Sequence, residues 1–287
     1  MLVAAVLTAA PQAGALRTVY VTAAAADGSP LGALRVADVV VHEGDKSRPV
    51  VRVEPSRGTL RVAIVIEEVL TPDNDLRRSV ANFIDQIRET GQLALFTVGR
   101  RTERRVDYTS DILSFATGIN KLPIRAVDPG DLVQALHDIA RDQRALEGRH
   151  VIVAVARQTA QASSVTAEGV LEQLMEGRGV LYAATLTGGE TSTVPPGATS
   201  GGRRLDLEGQ VSGLERDKVF NEATRKSGGM HLSSSRTAGL WTALERIAAE
   251  LQQQYVVSYE GGLASDGSVS IEAARRDITL RGPTRVR

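Results

Sequence analysis

From Leu60 onward, short uninterrupted apolar runs alternate with segments whose apolar residues recur every three or four positions. Val62-Ala63-Ile64-Val65-Ile66, Leu93-Ala94-Leu95-Phe96-Thr97-Val98, Val151-Ile152-Val153-Ala154-Val155 and Val180-Leu181-Tyr182-Ala183-Ala184-Thr185-Leu186 have the pattern of strands buried on both faces. Between the first two, Leu76, Val80, Phe83, Ile84 and Ile87 share one helical face over 76–89, and Gly91 stops the run. Similar spacing predicts helices over 112–120, 131–144, 167–175, 218–226 and 237–254, the last with Leu240, Leu244, Ile247 and Leu251 on its apolar side. Ser227-Gly228-Gly229-Met230-His231-Leu232 reads as a helix stop followed by a brief strand. Alternating β and α elements with two-sided strands imply an α/β fold, a doubly wound and mostly parallel sheet with right-handed crossovers.

The two ends of the chain have a different rhythm. Val19-Tyr20-Val21-Thr22, Val39-Val40-Val41 and Val50-Val51-Arg52-Val53 are separated by Asp27-Gly28 and Gly44-Asp45 turn signals, which predicts a small antiparallel β unit over 16–57. Tyr255-Val256-Val257-Ser258-Tyr259, Val269-Ser270-Ile271 and Ile278-Thr279-Leu280 return to strand text over 255–287 and are expected to pair with that unit. The α/β domain then occupies 58–254, interrupted at 187–213 by a Gly-, Ser-, Thr- and Pro-rich stretch expected to be a long flexible loop. Residues 1–15 are small and apolar and end in Ala-x-Ala, like the core and cleavage site of a secretory signal without a basic start, and point to an extracytoplasmic (periplasmic or secreted) location. That run is too short to span a bilayer, and no integral membrane segment is expected.

Composition narrows the chemistry. Lys plus Arg and Asp plus Glu number 34 each, so no net field favours nucleic acid. Arg100-Arg101 and Arg104-Arg105 have no aromatic platform beside them and are read as a solvated edge or loop. Aromatics make up only 3% of residues, so the core must be aliphatic. The absence of cysteine removes thiol catalysis, zinc–thiolate sites and disulfides together. Nucleophile-elbow, zinc-protease, dinucleotide and P-loop patterns are all missing. His42, His137, His150 and His231 are scattered without helical pairing, and no catalytic set is assigned.

In open α/β sheets, ligands bind beyond the carboxyl ends of the strands, which brings Glu67-Glu68-Val69-Leu70-Thr71 forward as the candidate site. Three segments, taken in order, resemble the bacterial von Willebrand factor A-related domain family. They are Asp27-Gly28-x-Pro30 with Leu34 to Gly44, then Asp107-Tyr108-Thr109-Ser110-Asp111, then Ala223-Thr224-x-x-Ser227-Gly228-Gly229 through Ala243-Leu244-Glu245-Arg246-Ile247-Ala248 to Gln254-Tyr255-Val256-Val257-x-Tyr259.

The resemblance implies a Mg²⁺ site of Asp-x-Ser-x-Ser at the end of the first central strand, a Thr from a later loop and an Asp after the fourth strand. Hydroxyls and a carboxylate suit the hard octahedral ion. In this sequence those places fall on Glu67, Val69 and Thr71, on or beside Gly130, and on Arg157. Glu67 and Thr71 could still ligate, whereas Val69 and Gly130 offer no side-chain ligand. Arg157 would repel a divalent ion and could pair with Glu67 or Glu68 instead.

The expectation is therefore a degenerate adhesion site and no cofactor: a non-enzymatic module that binds a protein partner through a rim of Glu67, Glu68, Thr71, Asp128, Asp131 and Arg157. Two alternatives remain. One is a metal-dependent domain with a remodelled site that keeps Glu67 and Thr71 and draws on Asp73, Asp75, Asp128 or Asp131. The other is a hydrolase that groups His231 or His137 with a serine and a carboxylate.

Overall fold

A computed structural model describes residues 15–26, 31–68, 70, 74–122, 130–159, 163–187, 213–262 and 267–286. The buried apolar runs become the centre of a six-stranded sheet: β5 (Leu60–Glu67), β6 (Gly91–Val98), β7 (Thr102–Thr109), β8 (Arg149–Arg157), β9 (Val180–Leu186) and β10 (His231–Ser234). Their order is β10-β9-β8-β5-β6-β7, all parallel except β7, which runs antiparallel to β6.

Alternation along each strand decides which helix lies on which face. Val62, Ile64, Ile66, Val151, Val153 and Val155 pack with α1 (Asn74–Ile87), α2 (Ile112–Asn120) and the last helix, α6 (Thr237–Gln252). Ala63, Val65, Ile152 and Ala154 face the other way, onto α3 (Leu132–Gln143), α4 (Ala167–Glu176) and α5 (213–227).

The chain ends form a separate antiparallel unit of two sheets. One has the order β13-β1-β11-β4 and the other β12-β2-β3. The strands are β1 (Leu16–Ala25), β2 (Val39–Glu43), β3 (Lys46–Arg48), β4 (Val50–Pro55), β11 (Gln254–Glu260), β12 (Val269–Ala273) and β13 (Ile278–Arg281). Val19, Val21, Val41, Val257, Tyr259 and Val269 fill the core between them. The expected pairing of N- and C-terminal strands is thus what the chain does. Gln254 ties this unit to the central sheet, its Nε2 donating to the Tyr182 hydroxyl at 2.9 Å and to Thr22 Oγ1 at 3.4 Å. Arg149 adds a second tie, donating to Ser56 Oγ at 2.8 Å while its guanidinium lies 5.7 Å from the Tyr20 ring.

Two elements differ from the sequence expectation. Residues 102–109 form an edge strand where the sequence pattern predicts none; the solvated edge expected for the basic cluster holds for Arg104, which is exposed while lying 5.3 Å from the Phe96 ring, whereas Arg105 is half-buried and bonds Thr97 and Glu68. In addition, α5 is already helical at 213, the first described residue of that stretch, ahead of the expected 218, and widens into a π turn at Val219–Ala223. The added turn carries Arg216 into the site. The signal-like start and the expected 187–213 loop lie outside the described residues, except Ala15, Thr187 and Gly213. No helix among the described residues is long and apolar enough to cross a membrane.

Candidate functional site

β5 carries its apolar run straight into Glu67, whose side chain is 0% exposed at the carboxyl end of the sheet. A carboxylate there demands compensation, because an isolated buried charge is costly. Compensation comes from two neighbouring elements. The Arg157 N–H, at the end of adjacent β8, donates to Glu67 Oε2 at 2.9 Å. Arg216, from the first turn of α5, donates from Nη2 to the same oxygen at 2.6 Å and to the Arg157 carbonyl at 2.6 Å. Arg216 is itself only 1% exposed and stacks over Phe220, one turn further along α5, at 5.3 Å. One guanidinium therefore joins β5, β8 and α5.

This arrangement corrects part of the sequence reading. An arginine does sit on Glu67, but its guanidinium is that of Arg216. Arg157 contributes its backbone. Glu67 is buried and cannot belong to a surface rim. Glu68 points elsewhere: its Oε1 accepts from Arg105 Nη2 at 2.9 Å, and its own N–H donates to the Val98 carbonyl at 2.9 Å. The adjacent carboxylates thus have separate partners, as the alternation of a strand end requires.

Asp131 caps α3, accepting from Gln134 N–H at 2.9 Å, and binds the loop after β8 through Ser163 Oγ and Ser164 N–H, both at 3.0 Å. Asp75 pairs with Arg78 at 2.7 Å on the surface of α1. Thr71 and Asp128, with Val69 and Asp73, lie outside the described residues.

These residues do not fit a divalent cation. Glu67 Oε2 already accepts two N–H bonds, one of them from the Arg216 guanidinium, whose positive charge beside the carboxylate would repel a divalent ion; Oε1 is buried with no hydrogen-bond partner among the described residues. Gly130, where the resemblance expects a hydroxyl ligand, has no room for one, since a Cβ built there would lie 1.6 Å from the Gly99 carbonyl oxygen. No group of three or more His, Cys, Asp or Glu side chains placed to hold a metal occurs among the described residues.

Among the described residues, neither His231 nor His137 is grouped with a serine and a carboxylate. His231 Nε2 lies 2.7 Å from Thr185 Oγ1 and Nδ1 3.0 Å from Asn221 Oδ1, with the ring stacked on Phe220 at 5.4 Å. Thr185 is 0% exposed, so no substrate reaches its hydroxyl. His137 contacts Asp138, its neighbour in sequence, at 3.2 Å.

Neither a protein-family model nor a curated protein matches the sequence. Several solved structures are similar. The PilB minor pilin from Streptococcus sanguinis has a TM-score of 0.48 at 10% identity, covering 69% of this chain and 62% of that one. BatB from Bacteroides thetaiotaomicron has a TM-score of 0.44 at 10% identity, covering 67% and 99%. The SpRpn10 VWA domain has a TM-score of 0.40 at 16% identity, covering 63% and 93%. The sheet order, with its single antiparallel edge strand and helices on both faces, decides the fold class. The α/β unit is a doubly wound, mostly parallel sheet with one antiparallel edge strand. This chain spans under two thirds of the pilin, and likeness at these identities speaks of fold alone.

Arg216 is the residue that sequence reasoning missed. A signal was present: Arg216, Val219, Phe220, Ala223, Thr224 and Ser227 follow helical spacing, and all six are buried. A charged residue in line with an apolar stripe is a candidate for a buried pair.

Proposed function

We propose that the chain is a non-enzymatic protein-interaction module of the von Willebrand A-related type, acting outside the cytoplasm and without a metal ion. The observation that carries this reading is the Arg216–Glu67 pair, buried where the resemblance expects a cation. The Arg216 guanidinium, tethered by α5, supplies the positive charge beside Glu67, so the ends of β5 and β8 are joined without an exchangeable ion. Recognition then falls to the loops at the carboxyl end of the sheet, with Glu68, Asp131 and Arg157 at their base and Thr71 and Asp128 as further rim positions. The signal-like first fifteen residues support export.

The test is thermal melting of the whole chain with Mg²⁺, Mn²⁺ or Ca²⁺ added in turn. A ligand that binds only the native state must raise the midpoint. No rise is expected. A rise of several degrees that Glu67→Ala abolishes would overturn the metal-independent reading in favour of a remodelled cation site.

A further inference from the structure

The edge of β1 stops being paired partway along, and the sequence gives the reason. Over Thr22–Ala25, β1 pairs with β13 in the register Thr22↔Arg281 to Ala25↔Ile278. Continuing that register would set Pro283 opposite Tyr20, but proline has no N–H to donate, and the ladder ends. Beyond it the chain turns away: Thr284 N–H donates to the Lys226 carbonyl at 2.9 Å, Val286 N–H to Gly267 at 2.8 Å, and the Thr284 carbonyl accepts from Val269 N–H at 2.9 Å.

Among the described residues, nothing pairs with the outer edge of Leu16, Thr18 and Tyr20. The other edge of β1 is fully engaged by β11 over Leu16–Thr22, and the Gly261 N–H bond to the Ala15 carbonyl fixes which groups face it. By strand alternation, Arg17, Val19 and Val21 direct their N–H and C=O toward β11, and Leu16, Thr18 and Tyr20 direct theirs away from it.

A cleft of about 130 Å³ lies along this open edge, between β1, the turn at Arg178 and Gly179 after α4, and the chain at Pro283 and Arg285. One water needs only about 10–15 Å³, so the cleft has room for a group the size of a side chain beside the strand edge. It sits at the amino end of β9, across the sheet from Glu67. Its lining contains three arginines and no acid. Arg17 pairs with Glu43 at 3.0 Å and Arg285 with Glu168 at 3.3 Å. Arg178 is exposed, has no ion pair among the described residues, and is held at the cleft in a left-handed backbone conformation, φ 51°. Leu16, 61% exposed, adds an apolar contact at the mouth.

We propose that this cleft binds an extended peptide bearing a carboxylate. The peptide adds a strand beside Leu16, Thr18 and Tyr20 and places its acid on Arg178. Strand addition draws affinity from main-chain bonds and specificity from the charged end. The site is separate from the loops assigned above, and the two proposals stand or fall independently.

Fluorescence polarisation of a labelled acetyl-Thr-Val-Thr-Val-Asp peptide with a free carboxyl end, titrated with the full chain, tests the proposal. The control is the same peptide ending in Lys-amide. Binding of the acidic peptide is expected, weakened tenfold or more by the control sequence and by Arg178→Glu. Thr18→Pro removes an N–H that faces the cleft and none that faces β11, and it is expected to weaken binding similarly. Should that variant fold poorly, amide hydrogen exchange on the native chain replaces it. Peptide is expected to slow Thr18 and Tyr20 and leave Val19 unchanged.

The proposal is overturned if the acidic peptide does not bind below about millimolar concentration. It is also overturned if binding ignores both Arg178→Glu and the peptide's charge, or if the edge pairs with a second copy of the chain, seen as concentration-dependent dimers in sedimentation that Thr18→Pro abolishes.

Discussion

Replacing Arg216 by methionine isolates the term on which the site depends. In the native chain, Glu67 and Arg216 are 0% and 1% exposed, so solvent screens neither charge. Arg216→Met keeps much of the side-chain bulk over Phe220 but leaves the Glu67 carboxylate buried with the Arg157 N–H. Breaking a buried pair by removing one partner costs about 3–5 kcal/mol. At about 2–4 °C per kcal/mol, this lowers the melting midpoint on the order of 10 °C.

Glu67→Leu should cost a comparable amount, because it leaves a buried guanidinium without the Glu67 charge. The double variant removes both charges and their desolvation together, and should lie within about 1 kcal/mol of the native chain or above it. The double-mutant cycle, read by thermal or denaturant unfolding, therefore shows coupling of several kcal/mol. Additive losses, or an Arg216→Met cost below about 1 kcal/mol, would refute the claim that the two charges compensate one another in a dry site.

Three further outcomes follow from the same geometry. Gly130→Ala should destabilise by about 2–4 kcal/mol in a melting experiment, because the new Cβ meets the Gly99 carbonyl 1.6 Å away. Gln254→Ala removes the donor to the Tyr182 hydroxyl, which is 0% exposed, and should cost about 1–3 kcal/mol while loosening β1 and β11 from the central sheet in hydrogen exchange. Burial lowers the His231 pKa from its ordinary 6.5, so the unfolded chain binds more protons in the interval below that value. Stability should fall as pH drops from 6.5 through the folded value, and His231→Gln should flatten that slope in melts across the interval.

Much of the α/β half was legible because fully buried parallel strands and one-sided helices have distinct periods, and α2 falls over the predicted 112–120. Pairing of the chain ends was legible from strand text, though not its register, which depends on long-range partners such as Thr22 and Arg281. β7 was illegible as a strand because Thr102–Thr109 is an edge strand rich in charge; Arg104 is solvated there as expected, and only the Arg105 bond to Glu68 could not be read from the sequence. Glu67 was correctly placed at the end of β5, but its partner lies 149 residues away in sequence, and one-dimensional spacing does not show such a pairing. The expectation drawn from Arg157 had the right charge and the wrong residue, since β8 delivers its backbone where the resemblance expects a side chain.

The central claim is that Arg216, and no metal ion, compensates Glu67. A crystal structure of the chain grown with excess Mn²⁺ and measured for anomalous scattering tests this most directly. The account predicts the Arg216 guanidinium in hydrogen-bond contact with Glu67 and no anomalous peak at the carboxylate. A peak about 2.1–2.2 Å from a Glu67 oxygen, with Arg216 displaced, would contradict it.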